Sequence, residues 1–155
     1  MDFDALFIPD GYAKIGLIAP QLAFHELTGV QLLGPGEWYH DDLIAIAQEH
    51  VSGAVISALF DPNSRFPFVA RFVDDYRDTF ALEPDAYAAH AYDAANLVLV
   101  QLAKGRLTRE DVRDGIVRTQ AYPGASGVIS VSPDGNARKR PFLLRVKGSH
   151  MVPLD

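Results

Sequence analysis

Five histidines, His25, His40, His50, His90 and His150, are the side chains most able to bind a metal or move a proton near neutral pH. No two stand four residues apart, as a helical zinc pair requires, and H-E-x-x-H is absent. Metal binding is not expected. His40-Asp41-Asp42 reads instead as a helix start, with Asp41 or Asp42 as the cap, because acidic groups suit the positive end of a helix. There is no cysteine, which removes disulfides, thiolate metal sites and cysteine nucleophiles. Gly124-Ala125-Ser126-Gly127 lacks the G-x-S-x-G spacing of a nucleophile elbow. No glycine-rich phosphate loop is present either. The residues argue against an enzyme, and no cofactor is expected.

The charge balance narrows the partners. Net charge is −6, and a nucleic-acid binder needs a basic face to neutralise phosphates. The one basic cluster, Arg138-Lys139-Arg140, is short and reads as a solvated turn. Apolar residues make up 48% of 155 positions, enough for the core of one ordinary domain. No apolar run approaches the roughly 20 residues of a membrane helix. The chain shows no signal segment and opens directly into an apolar run, which suggests a truncated chain.

The elements follow from the pattern. Ala5 to Ile8 reads as a buried strand closed by Pro9-Asp10-Gly11. Tyr12 to Leu27 has helical spacing, and Pro20 predicts a kink or two short helices. Val30 to Leu33 is a second strand, broken by Gly34-Pro35-Gly36, and a helix follows through Gln48. Gly53 to Phe60 is a third strand, and Asp61 to Ser64 a linker. Phe66 to Phe80 is amphipathic, with Phe68, Val69, Phe72, Val73 and Tyr76 on one face. An alanine-rich helix runs from Pro84-Asp85 to Lys104 and is stopped by Gly105. Thr108 caps another, to about Thr119. His90, Tyr87 and Tyr92 on the alanine-rich helix read as structural. Beyond Tyr122 the pattern shifts to period two, with a turn at Pro133 to Asn136, a strand at Phe142 to Val146 and a last short one at Met151-Val152. The order is β-α-β-α-β, three helices, then hairpins: an α/β chain whose first part is doubly wound and places ligands at the carboxyl ends of its strands. The helix trio has no strand of its own and needs another surface to cover it.

Tyr87-Ala88-Ala89-His90-Ala91-Tyr92-Asp93-Ala94-Ala95 resembles the Y-x-x-x-A-Y-D-A helix of the leucine/isoleucine/valine-binding family of periplasmic proteins. Tyr122-Pro123-Gly124-Ala125-Ser126-Gly127 followed by Pro133-Asp134-Gly135-Asn136 resembles its F-x-G-x-x-G and D-x-D-G-x ending, with Ser132 in place of the first acid. Val146 to Leu154 is similar to its final hairpin. The resemblance spans the C-terminal half of a family member. It implies a type I periplasmic-binding-protein-like fold in which two lobes, joined by crossovers, trap a small solute. Residues 1–60 and 125–155 would belong to the second lobe. Residues 65–120 would be helices of the first, with crossovers near 61–65 and 121–126.

The resemblance also points to two loops. Asp10-Gly11-Tyr12 lies where such proteins place an aromatic against the ligand, and Gly36-Glu37-Trp38-Tyr39 where an acid receives a ligand ammonium. Gly11, Tyr12, Gly36, Glu37 and Trp38 are thus the candidate ligand-binding residues, with Glu37 one position from the family acid. The plainer alternative has Tyr12 covering the core, Glu37 solvated and Trp38 packed under its loop. The implied function is non-catalytic capture of a small polar solute, such as an amino acid, for an ABC transporter of the cell envelope. A second reading is a lipoprotein regulator that activates penicillin-binding proteins through protein contacts; Ile18-Ala19-Pro20-Gln21-Leu22 resembles such lipoproteins at least as well as the transport receptors. A third, a flavodoxin-like enzyme, has only the β-α order behind it. Surfaces left where a missing half belongs would favour a homodimer.

Overall fold

The computed structural model describes residues 3–154. The chain forms two compact units, one running to Leu59 and resuming at Phe142, the other Phe60–Pro141.

The first unit begins with β1 (Ala5–Phe7), α1 (Tyr12–Phe24), β2 (Gln31–Pro35), α2 (Asp41–Ala47) and β3 (Val55–Ala58). It is completed by β7 (Phe142–Lys147) and β8 (His150–Pro153). The sheet order is β1-β2-β3-β7-β8; the first three strands are parallel and the last two are added antiparallel. Alternation along β7 sends Leu144 and Val146 into the core and Leu143 and Arg145 out of it. Ile15 and Ala19 of α1 meet Leu43 and Ala47 of α2 and Ile56 of β3 in that core. Gly16 lets the two helices approach, since a Cβ there would lie 2.6 Å from Ile46 Cγ2.

Three local expectations are corrected here. Of a kink or two short helices, the second is ruled out: Pro20 lies inside α1, one helix of 13 residues. Pro20 falls in its second half, so only the bond it would have donated to the Gly16 carbonyl is given up. Gly34-Pro35 does not end β2 but belongs to it. Pairing with β1 uses residues 31–33, and pairing with β3 uses 33–35, so Pro35 lies beyond the β1 contact. Neither Asp41 nor Asp42 caps α2: His40 does, its ring Nδ1 accepting from the Asp42 N–H at 3.1 Å.

The second unit contains α3 (Pro67–Phe80), α4 (Ala86–Ala103), α5 (Arg109–Val117), β4 (Tyr122–Gly124), β5 (Gly127–Val131) and β6 (Ala137–Arg138). Val69, Phe72 and Val73 are the buried face of α3, with Phe68 and Tyr76 packed beside them. Asp85 and Thr108 cap α4 and α5 through their side-chain oxygens. Strands β4, β5 and β6 form a small antiparallel sheet around the Pro133–Asn136 turn.

Residues 125–141 group with the helices in the second unit, and the chain passes back to the first unit at Pro141–Phe142. Asp93 of α4 explains this. Its buried carboxylate accepts from Ala125 N at 2.5 Å, Ser126 N at 2.8 Å and Ser126 Oγ at 2.6 Å. Gly124 is required beside it, because any Cβ would strike the carboxylate. The basic cluster is not simply a solvated turn either. Arg138 and Arg140 are exposed, but Lys139 is half-buried and reaches His90 Nε2 at 2.7 Å and the Ser126 carbonyl at 3.0 Å.

Helix α4 is apolar around most of its circumference. Ala89 and Leu97 are buried, whereas Val98, Leu99 and Leu102 are exposed, and Tyr87 is 84% exposed. Val98 and Leu102, with Leu107, Val112 and Ile116, line an open groove of about 530 Å³. An all-round apolar helix is the pattern of a buried element, so this face lacks a cover within its own unit.

Burial lowers the Lys139 ammonium from 10.5 to about 8, with the Asp93 carboxylate opposing the shift. Between those values the unfolded chain holds a proton that the folded chain has released, so stability rises with pH. The urea midpoint of the wild type should therefore climb between about pH 8 and 10.5, and Lys139→Met should flatten that climb. Identical pH profiles for the two proteins would contradict the buried ammonium.

Candidate functional site

The candidate residues gather at the carboxyl ends of the parallel strands. Three segments leave the sheet there: the loop 8–11 after β1, the 3₁₀ turn Gly36–Trp38 after β2, and Leu59 after β3. In a doubly wound sheet this edge is where ligands bind, because each strand feeds a loop and then a helix N-terminus.

Trp38 joins two of these loops. Its side chain is fully buried in the core, and its Nε1–H donates to the Asp10 carbonyl at 2.9 Å. The indole lies flat enough on Gly34 that a Cβ there would overlap its ring carbons. Gly36 approaches β3 closely, with a Cβ placed 3.4 Å from the Ser57 carbonyl, and its own carbonyl accepts from Tyr39 N at 2.9 Å. Glu37, between Gly36 and Trp38, is exposed. Trp38 therefore offers no surface of its own; it holds the backbone on which Glu37 is displayed.

The other loop is fixed by Asp10. Its carboxylate accepts from Gly11 N at 2.8 Å and from Lys14 Nζ at 3.1 Å. The Gly11 N–H, and then Lys14, hold the Asp10 carboxyl below its ordinary range. Gly11 is the N-cap of α1, with an ordinary extended backbone and open space where a Cβ would stand. Its contribution is the backbone rather than the missing side chain. Tyr12 opens α1, half-buried against the core, and its ring stacks on His40 with centroids 3.8 Å apart and planes 4° from parallel.

The two loops chosen from sequence are thus adjacent, joined by Asp10–Trp38 and by Tyr12–His40. The sequence marks His40 only as part of a helix start. The available signal was its position one residue after the Trp38-Tyr39 pair, where a capping residue shares the strand edge with the loop before it. Among the described residues no three His, Asp or Glu side chains gather as a metal site.

A family model for periplasmic binding proteins matches residues 3–150, and the chain belongs to that family. A leucine-binding protein, LivK of Thermotoga maritima, is 28% identical with a TM-score of 0.75, covering 98% of this chain and 44% of its own. The branched-chain amino acid binding protein LivJ of Streptococcus pneumoniae, solved with isoleucine, shares the fold at 24% identity and a TM-score of 0.70, with 99% of this chain and 45% of its own covered. A solute-binding protein of Rhodopseudomonas palustris, solved with 3,4-dihydroxybenzoic acid, does so at 21% and 0.69, with 97% and 44% covered. The chain thus spans less than half the length of these relatives. Among curated protein sequences none matches it.

The packing of Trp38 on Gly34 makes a direct prediction. Gly34→Ala should lower stability by about 1–3 kcal/mol in urea unfolding, the usual cost of forcing a methyl into a filled core. It should also shift the Trp38 fluorescence. An unchanged midpoint and spectrum would mean the indole is not held on Gly34.

Proposed function

We propose that this chain supplies one wall of the solute site of an extracytoplasmic binding protein that captures a small polar ligand, such as an amino acid, for an ABC transporter. The observation that carries this reading is the convergence of the two loops at the parallel strand ends, locked by the Trp38–Asp10 bond. A binding site needs a few polar groups held in place beside aromatic surface. Exposed Glu37 is the acceptor for a ligand ammonium, and Tyr12 the aromatic contact. Gly11 and Gly36 provide close backbone, and buried Trp38 positions both loops. The ligand is bound and released unchanged, so no residue is assigned a chemical step. Membership of a periplasmic binding protein family, with a leucine-binding neighbour at 28% identity, supports the envelope location and an amino-acid ligand. The dihydroxybenzoate-bound neighbour shows that one fold accepts other small polar acids.

A thermal-shift screen of the protein at full natural length against the amino acids and small aromatic acids tests this. A ligand at about 100 times its Kd should add about 2.7 kcal/mol of stability. Glu37→Gln should weaken an amino-acid ligand by about 10- to 100-fold, the loss of one charge-assisted hydrogen bond. Silence across the panel from a folded protein would overturn solute capture and favour a regulator acting by protein contact.

A further inference from the structure

His40 does two jobs with one ring. Its Nδ1 accepts the Asp42 N–H at 3.1 Å and so caps α2, while its face lies 3.8 Å from the Tyr12 ring and 4° from parallel. The acceptor role requires an unprotonated Nδ1, with the proton of the neutral ring on Nε2. The backbone is pinned as well, since His40 N–H donates to the Trp38 carbonyl at 2.8 Å and the His40 carbonyl accepts from Leu43 N at 3.0 Å. The imidazole is therefore held by α2 through its Nδ1, on a backbone that the carbonyl of buried Trp38 fixes. Tyr12 is held by the first position of α1 and its contact with the core, and it presents one ring face to this plate.

We infer that His40 is a positioning residue for solute binding, setting the plane of Tyr12 before a solute arrives. This rests on the proposed contact between Tyr12 and the solute. A stacked aromatic pair contributes about 0.5–1.5 kcal/mol beyond its area. An aromatic side chain that must be immobilised on binding costs a similar amount. Without the imidazole plate the solute itself must order Tyr12, and affinity falls by about three- to tenfold.

The two jobs separate by substitution. Asparagine is among the best N-cap residues and keeps the acceptor without a ring. Phenylalanine keeps a stacking face without the acceptor. The experiment titrates L-leucine calorimetrically into wild type, His40→Asn, His40→Phe and Tyr12→Ala, and records the Tyr12 ring proton shifts of each ligand-free protein except the last. The inference expects H40N to retain the urea midpoint, lose the ring-current shift of Tyr12 and weaken binding three- to tenfold. H40F should lower the midpoint while keeping the shift and the affinity. Wild-type affinity in H40N beside a weakened Tyr12→Ala would overturn the inference and leave the site intact. Unchanged binding in Tyr12→Ala would overturn the site reading instead. Tyr12 ring shifts that are the same in wild type and H40N would overturn the stacking itself, whatever the solute does.

Discussion

The hydrogen bond from the Trp38 indole to the Asp10 carbonyl is the constraint on which the strand-end surface depends. A buried N–H must find an acceptor, because leaving it unpaired costs about 1–3 kcal/mol. With the indole lying on Gly34, the loop after β1 satisfies its N–H by bringing the Asp10 carbonyl across. Once it does, two loops separated by 28 positions in the chain become one surface. Glu37 is displayed by the turn whose next residue is anchored. Tyr12 starts a helix two residues after the carbonyl that anchors it. The polar groups that face solvent are thus placed by an apolar residue that does not.

The second unit uses the same device with the chemistry reversed. There the buried group is a carboxylate, Asp93, and the donors are two backbone N–H groups and the Ser126 hydroxyl. An isolated buried carboxylate would be costly, but three donors compensate it. The result ties the β4–β5 turn to the middle of α4. Lys139 then reaches the same turn through the Ser126 carbonyl, at the expense of part of its own hydration. In both units one buried polar side chain, Trp38 or Asp93, joins residues far apart in sequence and fixes a loop.

The boundary of what the sequence disclosed follows from this. Periodicity and turn residues were enough for the α/β order, the amphipathic face of α3, the Thr108 cap and the closing hairpin, because each is decided within a few residues. The family resemblance carried the choice of loops, and the structure brings those loops together. What stayed hidden were contacts decided at long range or by an exact backbone path. Pro20 has the signature of a kink or a division, yet with Ile15 and Ala19 packed in the turns before it the helix runs on to Phe24. Gly34-Pro35 has the signature of a strand end, yet the stagger between β1 and β3 leaves it paired. His40 looked like the residue before a cap rather than the cap, since histidine is not a preferred capping residue. Lys139 sits in a basic triplet that reads as solvated, and nothing local shows that His90, 49 positions earlier, waits beside it.

The lock between the two loops is open to one direct observation, the hydrogen exchange of the Trp38 indole N–H followed by NMR. With a single tryptophan in the chain the resonance is unambiguous. A proton that is both fully buried and bonded to a backbone carbonyl exchanges only when the surrounding core opens. The account predicts exchange as slow as the backbone amides of β2 and β3, responding to urea with the slope of global unfolding. Exchange at the rate of an exposed indole, or with no dependence on denaturant while the strands stay protected, would show that the loops are not joined and that the strand-end site is not preformed.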